Sequence, residues 1–437
     1  MTKVLLMALT LPTAFASVAI TKASVDNASQ WASVTERFNA WKILHGKVYA
    51  TATEEAERLK IFGKLALHVD KQNARFDAGE ITHHSTLNFL SDLSSDEMSR
   101  RRGLRRSQER TVASKMFNPW SAQDKGPAWD WRSDYKRDGV EVNPITYVKD
   151  QGQCGSCWAF SVTGAIEAAA AIANRTFRSW YDVGFDGYSE KEISDCAPLP
   201  NEGCNGGYMD VAMDWVRDNG GLNTEEDYPY QDLDARCNWQ KKAVSVLALG
   251  GRQKVPVSSP AMIAAISTTP VSIGIDASSP DFQTYDYGVF ASCGHTEDLI
   301  DHGVLAVGYS LSADNASGFV MVKNSWSGEW GDGGYIKISY RASLDNGTCG
   351  MNLEANIPTG AQMHAPNPMP PPPPQCNNRT KGMPIQYCEY NTTCCCDKKD
   401  YLGRCMYSCC PYGAECIPAS TEAILAGTAE EQCFTKH

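Results

Sequence analysis

Cys157 lies in the run Gln151-Gly-Gln-Cys154-Gly-Ser-Cys157-Trp158-Ala-Phe-Ser and opens an alanine-rich, proline-free stretch that reaches Ala173. A thiol attacks only as its thiolate, and free cysteine is largely protonated at neutral pH. Two features of the sequence can ionise it. The stretch 157–173 favours helix, which places Cys157 at the positive end of a helix dipole. A histidine can then hold the proton as imidazolium. His302, in Asp301-His302-Gly303, is the candidate, and Asn324, in Lys323-Asn324-Ser325-Trp326, would orient its ring through the side-chain oxygen. Trp326 would shield that hydrogen bond from water. Gln151, six residues before Cys157, would offer its side-chain amide to a developing oxyanion beside the backbone N–H of Cys157. Together these residues are the parts of covalent acyl transfer. A lone His302 would ordinarily be read as a satisfied core histidine, so the reading rests on all four residues.

The rest of the chain must bring these parts together. At 437 residues it is too long for one ordinary core and calls for two to four units. Seventeen cysteines, ten of them in 376–437, point to an oxidising compartment. The N-terminus agrees. Lys3, the apolar run Val4–Leu11 and Ala14-Phe15-Ala16 read as a signal peptide over 1–16. That run is shorter than the ~20 residues of a spanning helix, and no later stretch is long enough, so no membrane association is expected. Sequons at Asn27, Asn174, Asn315, Asn346, Asn378 and Asn391 fit a glycoprotein on the secretory route. A net charge of −11 argues against nucleic acid as a partner. The basic run Arg100 to Arg106 reads as an exposed segment, either a cleavable one or a simple solvated charge run.

Trp31, Val34, Phe38, Trp41, Leu44 and His45 recur at helical spacing, as do positions between Glu54 and Asn73, which predicts a two-helix hairpin over 31–76. Residues 103–127, punctuated by Pro119, Gly126 and Pro127, predict a linker. A helical half begins at Cys157. A strand-rich half begins near Val244, with strands at Val271–Ile275, Gly303–Tyr309, Phe319–Lys323 and Gly334–Ser339. Pro366, Pro368 and Pro370 to Pro374 favour polyproline II and a semi-rigid linker over 361–375. The tail 376–437, cysteine-dense and poor in aliphatic residues, can be stable only when cross-linked. Metal binding by its thiols is the alternative.

The Cys-Gly-Ser-Cys-Trp run, followed by Asp-His-Gly-Val-Leu-Ala-Val-Gly-Tyr and then Lys-Asn-Ser-Trp-Ser-Gly-Glu-Trp-Gly, resembles the papain family of cysteine proteases. Upstream, Trp41-Lys-x-x-His45-Gly46-Lys47-x-Tyr49 with Glu54, Arg58, Ile61, Phe62, Val69 and Asn73 is similar to the inhibitory propeptide of the cathepsin L-like branch. Leu65 departs from that pattern, as do Thr86 and Leu90 in the second propeptide motif, where Asn88 and Asp92 stand. Cys-x5-Cys-Cys-Cys…Cys-Cys-Pro from Cys388 to Pro411 resembles a granulin module in part. The resemblance implies an α+β fold with a helical left domain and an antiparallel, barrel-like right domain, the active site lying in the cleft between them. It implies a signal peptide (1–16), propeptide (17–116), catalytic domain (117–360), linker (361–375) and granulin-like module (376–437).

By the same resemblance the chain is a cysteine endopeptidase zymogen, monomeric, without cofactor or metal, delivered to lysosome, vacuole or the extracellular space. Its partners are peptide and protein substrates and its own propeptide. Bridges Cys154–Cys204, Cys196–Cys237 and Cys293–Cys349 are implied, with Cys157 free. Gly206 and Gly207 would pair with extended substrate, with Asp301 and Trp326 also in the site. Tyr208, Met209, Gly274, Ile300, Gly303 and Glu354 would form the pocket for the residue two before the scissile bond. Glu354 at its floor would pair with Arg, giving dual acceptance of aromatic and basic residues; a solvated, outward carboxylate is the alternative. Residues 174–188 form a longer connection than the family's usual one. A binding protein built around the tail is disfavoured by intact Gln151, Cys157, His302 and Asn324, and inhibition by a released 31–110 would be a side activity, because the whole enzyme follows in the same chain.

Overall fold

The computed structural model describes residues 21–30, 32–106, 115–174, 186–238, 247–293 and 300–363, and beyond them only strand segments of the tail between 375 and 435. The expected signal peptide, the proline run, Asn378, Asn391 and positions 175–185 of the long connection lie outside the described residues.

The predicted helical hairpin is α1 (Val34–Leu44) and α2 (Ala52–Asp77). Ser33 and Glu36 form a capping box at α1, and Thr51 caps α2 by accepting from the Glu54 N–H. The hairpin has its own core of Phe38, Trp41, Phe62, Ala66, Val69 and Leu87. Its charged motif residues meet across the chain. Lys47 and Tyr49 both donate to Asp92, and Arg58 makes a bidentate pair with Glu97 of α3 (Ser95–Arg100). The positions that depart from the family pattern are accommodated. The Thr86 hydroxyl donates to Asp26, and Leu90, 1 % exposed, packs into the core of the catalytic unit.

That second, larger core joins the helices α4 (Cys157–Ala173), α5 (Glu190–Cys196), α6 (Met209–Asp218) and α7 (Ser259–Thr268) to a mostly antiparallel sheet. In chain order its strands are β1 (His83–Ser85), β2 (Lys115–Met116), β3 (Ala128–Asp130), β4 (Gly251–Lys254) and β5 (Val271–Ile275), then β6 (Tyr285–Phe290), β7 (His302–Leu311), β8 (Ser317–Lys323), β9 (Tyr335–Arg341) and β10 (Ala355–Thr359). The spatial order is β1-β6-β9-β8-β7-β5-β10-β4-β2, with β3 also on β7. The four expected strands are present as β5, β7, β8 and β9, each within two residues of its expected ends.

Both outer edges of this sheet are covered by residues from the N-terminal side of the catalytic unit. β1 pairs antiparallel with β6, and β2 pairs parallel with β4. An open edge presents unpaired N–H and C=O groups, so each addition satisfies backbone that would otherwise face water or another chain. The second lies directly before the expected boundary at 116/117. Lys115–Met116 is part of the catalytic sheet, and Phe117, 4 % exposed, belongs to its core. The pairing corrects the linker over 103–127, whose ends are both built into the fold. In the tail, the described backbone forms antiparallel pairs between Thr392–Lys399 and Cys405–Pro411 and between Ala414–Cys416 and Cys433–Thr435.

Candidate active site

Cys157 is the first residue of α4, a helix buried along nearly its whole length because alanines carry it against β7. His302 is the first residue of β7, so packing this helix end on this strand end sets thiol and imidazole side by side. The approach needs Gly303, where a Cβ would lie 2.9 Å from the Cys157 carbonyl oxygen. Gly303 thus faces the Cys157 backbone, a tighter duty than the pocket position expected of it.

His302 Nε2 donates to Asn324 Oδ1 at 2.8 Å, which defines the tautomer and leaves Nδ1 for the sulfur side. Asn324 is aimed by the Ser325 N–H, which bonds the same oxygen at 2.8 Å. Trp326, fully buried, lies with its ring centroid 4.8 Å from that of His302, and Phe282 closes the other side at 6.1 Å. The expected shielding is therefore in place. Gln151 is fully buried and held at both ends of its amide. Oε1 accepts from the Ser325 hydroxyl at 2.7 Å, and Nε2 donates to the carbonyls of Cys154 and Arg101, each at 2.8 Å.

Arg101 belongs to the basic run expected to be exposed; its ends, Arg100 and Arg106, are exposed, but its middle is covered. Arg101 is 4 % exposed and pairs with Asp150, Arg102 pairs with Asp301, and Arg105 pairs with Glu202. The run fills the cleft because its cations find acids on both walls and its one large apolar residue finds a pocket. Backbone bonds fix its course. The Gly207 N–H donates to Gly103 O at 2.9 Å, the Arg105 N–H to Gly207 O at 2.8 Å, and the Leu104 N–H to Asp301 O at 3.0 Å. Leu104 and Gly207 thus form a parallel bridge. Gly206, at φ +110°, has no room for a side chain, since a Cβ would meet Gly103 O at 2.4 Å.

The Leu104 side chain enters the expected pocket. A Cβ on Gly274 would meet Leu104 Cδ2, Ile300 Cγ2 and Glu354 Cβ, so these three residues surround its tip. With Leu104 in place, Glu354 is 4 % exposed. Tyr208 and Met209 begin α6, and the Met209 sulfur accepts from Ser272 in the core. The three expected disulfides are present and Cys157 is free. Cys154–Cys204 ties the Gln151 loop to the Gly206–Gly207 turn, which sets the width of the cleft.

In the covered site sulfur and imidazole share no hydrogen bond. Cys157 Sγ accepts from the Gly103 N–H at 3.3 Å, and His302 Nδ1 is buried without a hydrogen-bond partner. Burial pushes the thiol up to about 11, only partly opposed by the N–H groups of Gly303 and Gly103. Burial also holds His302 down to about 3, against the Asn324 hydrogen bond, with the charges of Arg102 and Arg101 adding to the depression. Burial beneath the basic run thus disfavours both the thiolate and the imidazolium. Sequence reasoning missed this run as a site element; Gly103-Leu104 between arginines, an apolar residue in a charge block, was the signal.

A papain family cysteine protease model matches residues 126–359, and a cathepsin propeptide inhibitor domain model matches residues 38–98. The cysteine proteinase RD21A of Arabidopsis thaliana is 33% identical over 391 residues, covering 88% of this chain and 79% of that protein. A cathepsin L-like peptidase of Aedes aegypti is 36% identical over 346 residues, covering 77% and 96%. The solved structure of digestive procathepsin L2 from Tenebrio molitor larval midgut superposes with a TM-score of 0.64 at 30% identity, over 75% of this chain and all of that one. With its nucleophile candidate, histidine and asparagine assembled under a docked inhibitory segment, the chain belongs to the papain family of cysteine proteases and carries the family's propeptide domain.

Proposed function

We propose that peptide bonds are cleaved by Cys157, with His302 as base and acid, Asn324 orienting the ring and Gln151 completing the oxyanion hole. The thiolate attacks the scissile carbonyl, and its oxygen takes up negative charge beside the Gln151 amide and the Cys157 N–H. The tetrahedral carbon collapses as the C–N bond breaks and His302 gives its proton to the leaving amine. Water, losing its proton to His302, then attacks the acyl-enzyme and frees the second product and the thiolate. Removing the propeptide readmits water and withdraws Arg101 and Arg102, both of which favour the charged pair.

The observation that carries this reading is what the propeptide places at each part. A carbonyl, that of Arg101, sits on the Gln151 amide, while the sulfur faces the Gly103 N–H. An N–H offers a thiolate no electrophilic carbon, which accounts for inhibition without cleavage. Leu104 stands in for the substrate side chain in the selectivity pocket, and its apolar walls suit Leu, Val or Phe. Glu354 beneath them supports acceptance of Arg. The cysteine pattern and paired tail strands support a cross-linked granulin-like module, and the sequons and cysteines support a lysosomal, vacuolar or extracellular compartment.

The test is hydrolysis of matched Phe-Arg and Arg-Arg substrates by acid-activated enzyme with reductant. Cys157→Ala is expected to abolish both. Glu354→Ala is expected to lose Arg-Arg cleavage selectively. Persistent cleavage in the first variant overturns the nucleophile, and an unchanged Phe/Arg ratio in the second overturns the pocket reading.

A further inference from the structure

The motif Tyr228-Pro229-Tyr230 has no part in the chemistry above, yet the Tyr230 hydroxyl touches both elements that supply the oxyanion donors. It donates to the Gln151 carbonyl at 2.8 Å and lies 2.6 Å from Ser156 Oγ. A phenol has one proton, already committed to Gln151, so the Ser156 hydroxyl is the donor in the second bond. Ser156 is fully buried and occupies the N-cap position of α4, immediately before Cys157. Serine at an N-cap ordinarily turns its oxygen onto the first N–H groups of the helix. Here it makes no such bond, because its hydroxyl is directed to Tyr230. The phenol ring is itself held edge-on against Phe160, one turn into the same helix, with centroids 4.8 Å apart.

We propose that Tyr230 is a positioning residue that locks the Gln151 amide and the Cys157 N–H into one oxyanion hole, through hydrogen bonds to Gln151 and Ser156. The proposal rests on the reading of Gln151 given above. The two donors come from different pieces of chain, a loop and a helix end. A transition state gains from them only when both are set before charge develops. One hydroxyl bonded to both pieces removes their relative freedom. Ser156 gains nothing locally by the arrangement, since it forgoes its cap.

The experiment is Tyr230→Phe in the full chain, acid-activated, with kcat, KM and the rate of Cys157 alkylation by iodoacetamide measured side by side. Alkylation needs the thiolate but forms no oxyanion. The expected result is a kcat about tenfold lower, a fraction of the ~10²–10³ lost with a whole donor, with KM and alkylation within twofold of the parent. Ser156→Ala, which cuts the other end of the bridge at a small residue, is expected to lower kcat about threefold. The double variant is expected to be no worse than Tyr230→Phe alone. Alkylation falling in step with kcat would mean general disorder of the site and overturn the proposal. Unchanged kcat in both single variants, with Gln151→Ala still down ~10²-fold, would overturn it while leaving the oxyanion role of Gln151 intact. Unchanged kcat in Gln151→Ala would remove that role and this proposal together.

Discussion

Replacing Leu104 by alanine tests how the propeptide holds the cleft. Leu104 is 6 % exposed, with its tip against Gly274, Ile300 and Glu354. The change removes three carbons from a closed pocket while leaving the backbone bonds to Asp301 and Gly207, which do not depend on the side chain. At ~0.8 kcal/mol per buried methylene the loss is about 2 kcal/mol, because the emptied pocket opens to solvent once the segment lifts. That corresponds to about a 30-fold weaker inhibition constant. The propeptide has its own aromatic core, so residues 21–106 can be added as a separate inhibitor to activated enzyme and titrated against a fluorogenic substrate. Leu104→Arg sharpens the test: it should keep most of the inhibition through Glu354 and lose it against the Glu354→Ala enzyme. An inhibition constant within threefold of the parent for Leu104→Ala would refute the pocket assignment.

His83, buried on β1 against Phe290 and Tyr285, has an unpartnered Nε2, and burial holds it below its ordinary 6.5. Asp281 opposes that depression, while Arg75, His84 and His68 add to it. The docked propeptide therefore binds fewer protons than the released one. Docking is at full strength above about pH 6.5 and weakens as pH falls toward the depressed value. His83→Phe, which keeps the ring packing, is expected to slow processing at pH 5 severalfold without changing latency at pH 7; an unaltered pH profile of processing would count against it. Because Lys115–Met116 completes the catalytic sheet, intact mass of the activated enzyme should show residues 115–117 retained, and Phe117→Ala should cost about 3 kcal/mol in urea unfolding. Lys149, its side chain 10 % exposed, lies between Glu167 and Glu190 and balances their charges. Lys149→Met should destabilise the enzyme by ~3–5 kcal/mol, read as a shift in the denaturant midpoint.

Much of this protein follows from local pattern. The run opening at Cys157 is helical because alanines dominate it, and alternation with glycine punctuation located β5, β7, β8 and β9 within two residues. The pairing of Cys157 with His302 and Asn324 was legible as well, since each sits in a distinctive short motif. What local pattern could not carry was the role of the basic run. Arg101, Arg102 and Arg105 look like a solvated charge block until their acids, Asp150, Asp301 and Glu202, are brought in from 49 to 199 residues away. Lys115–Met116 likewise has no strand signature of its own, and only the waiting edge of β4 makes it a strand.

By itself, then, the sequence offered the candidates for the chemistry: a residue to attack and a residue to take its proton. These depend on residue type and short spacing, which any reader of the chain can see. The state of that chemistry was decided by tertiary structure alone. Burial beneath Gly103 and two arginines disfavours both the thiolate and the imidazolium. Desolvation depends on what lies above a group, and nothing in the residues flanking Cys157 or His302 specifies that.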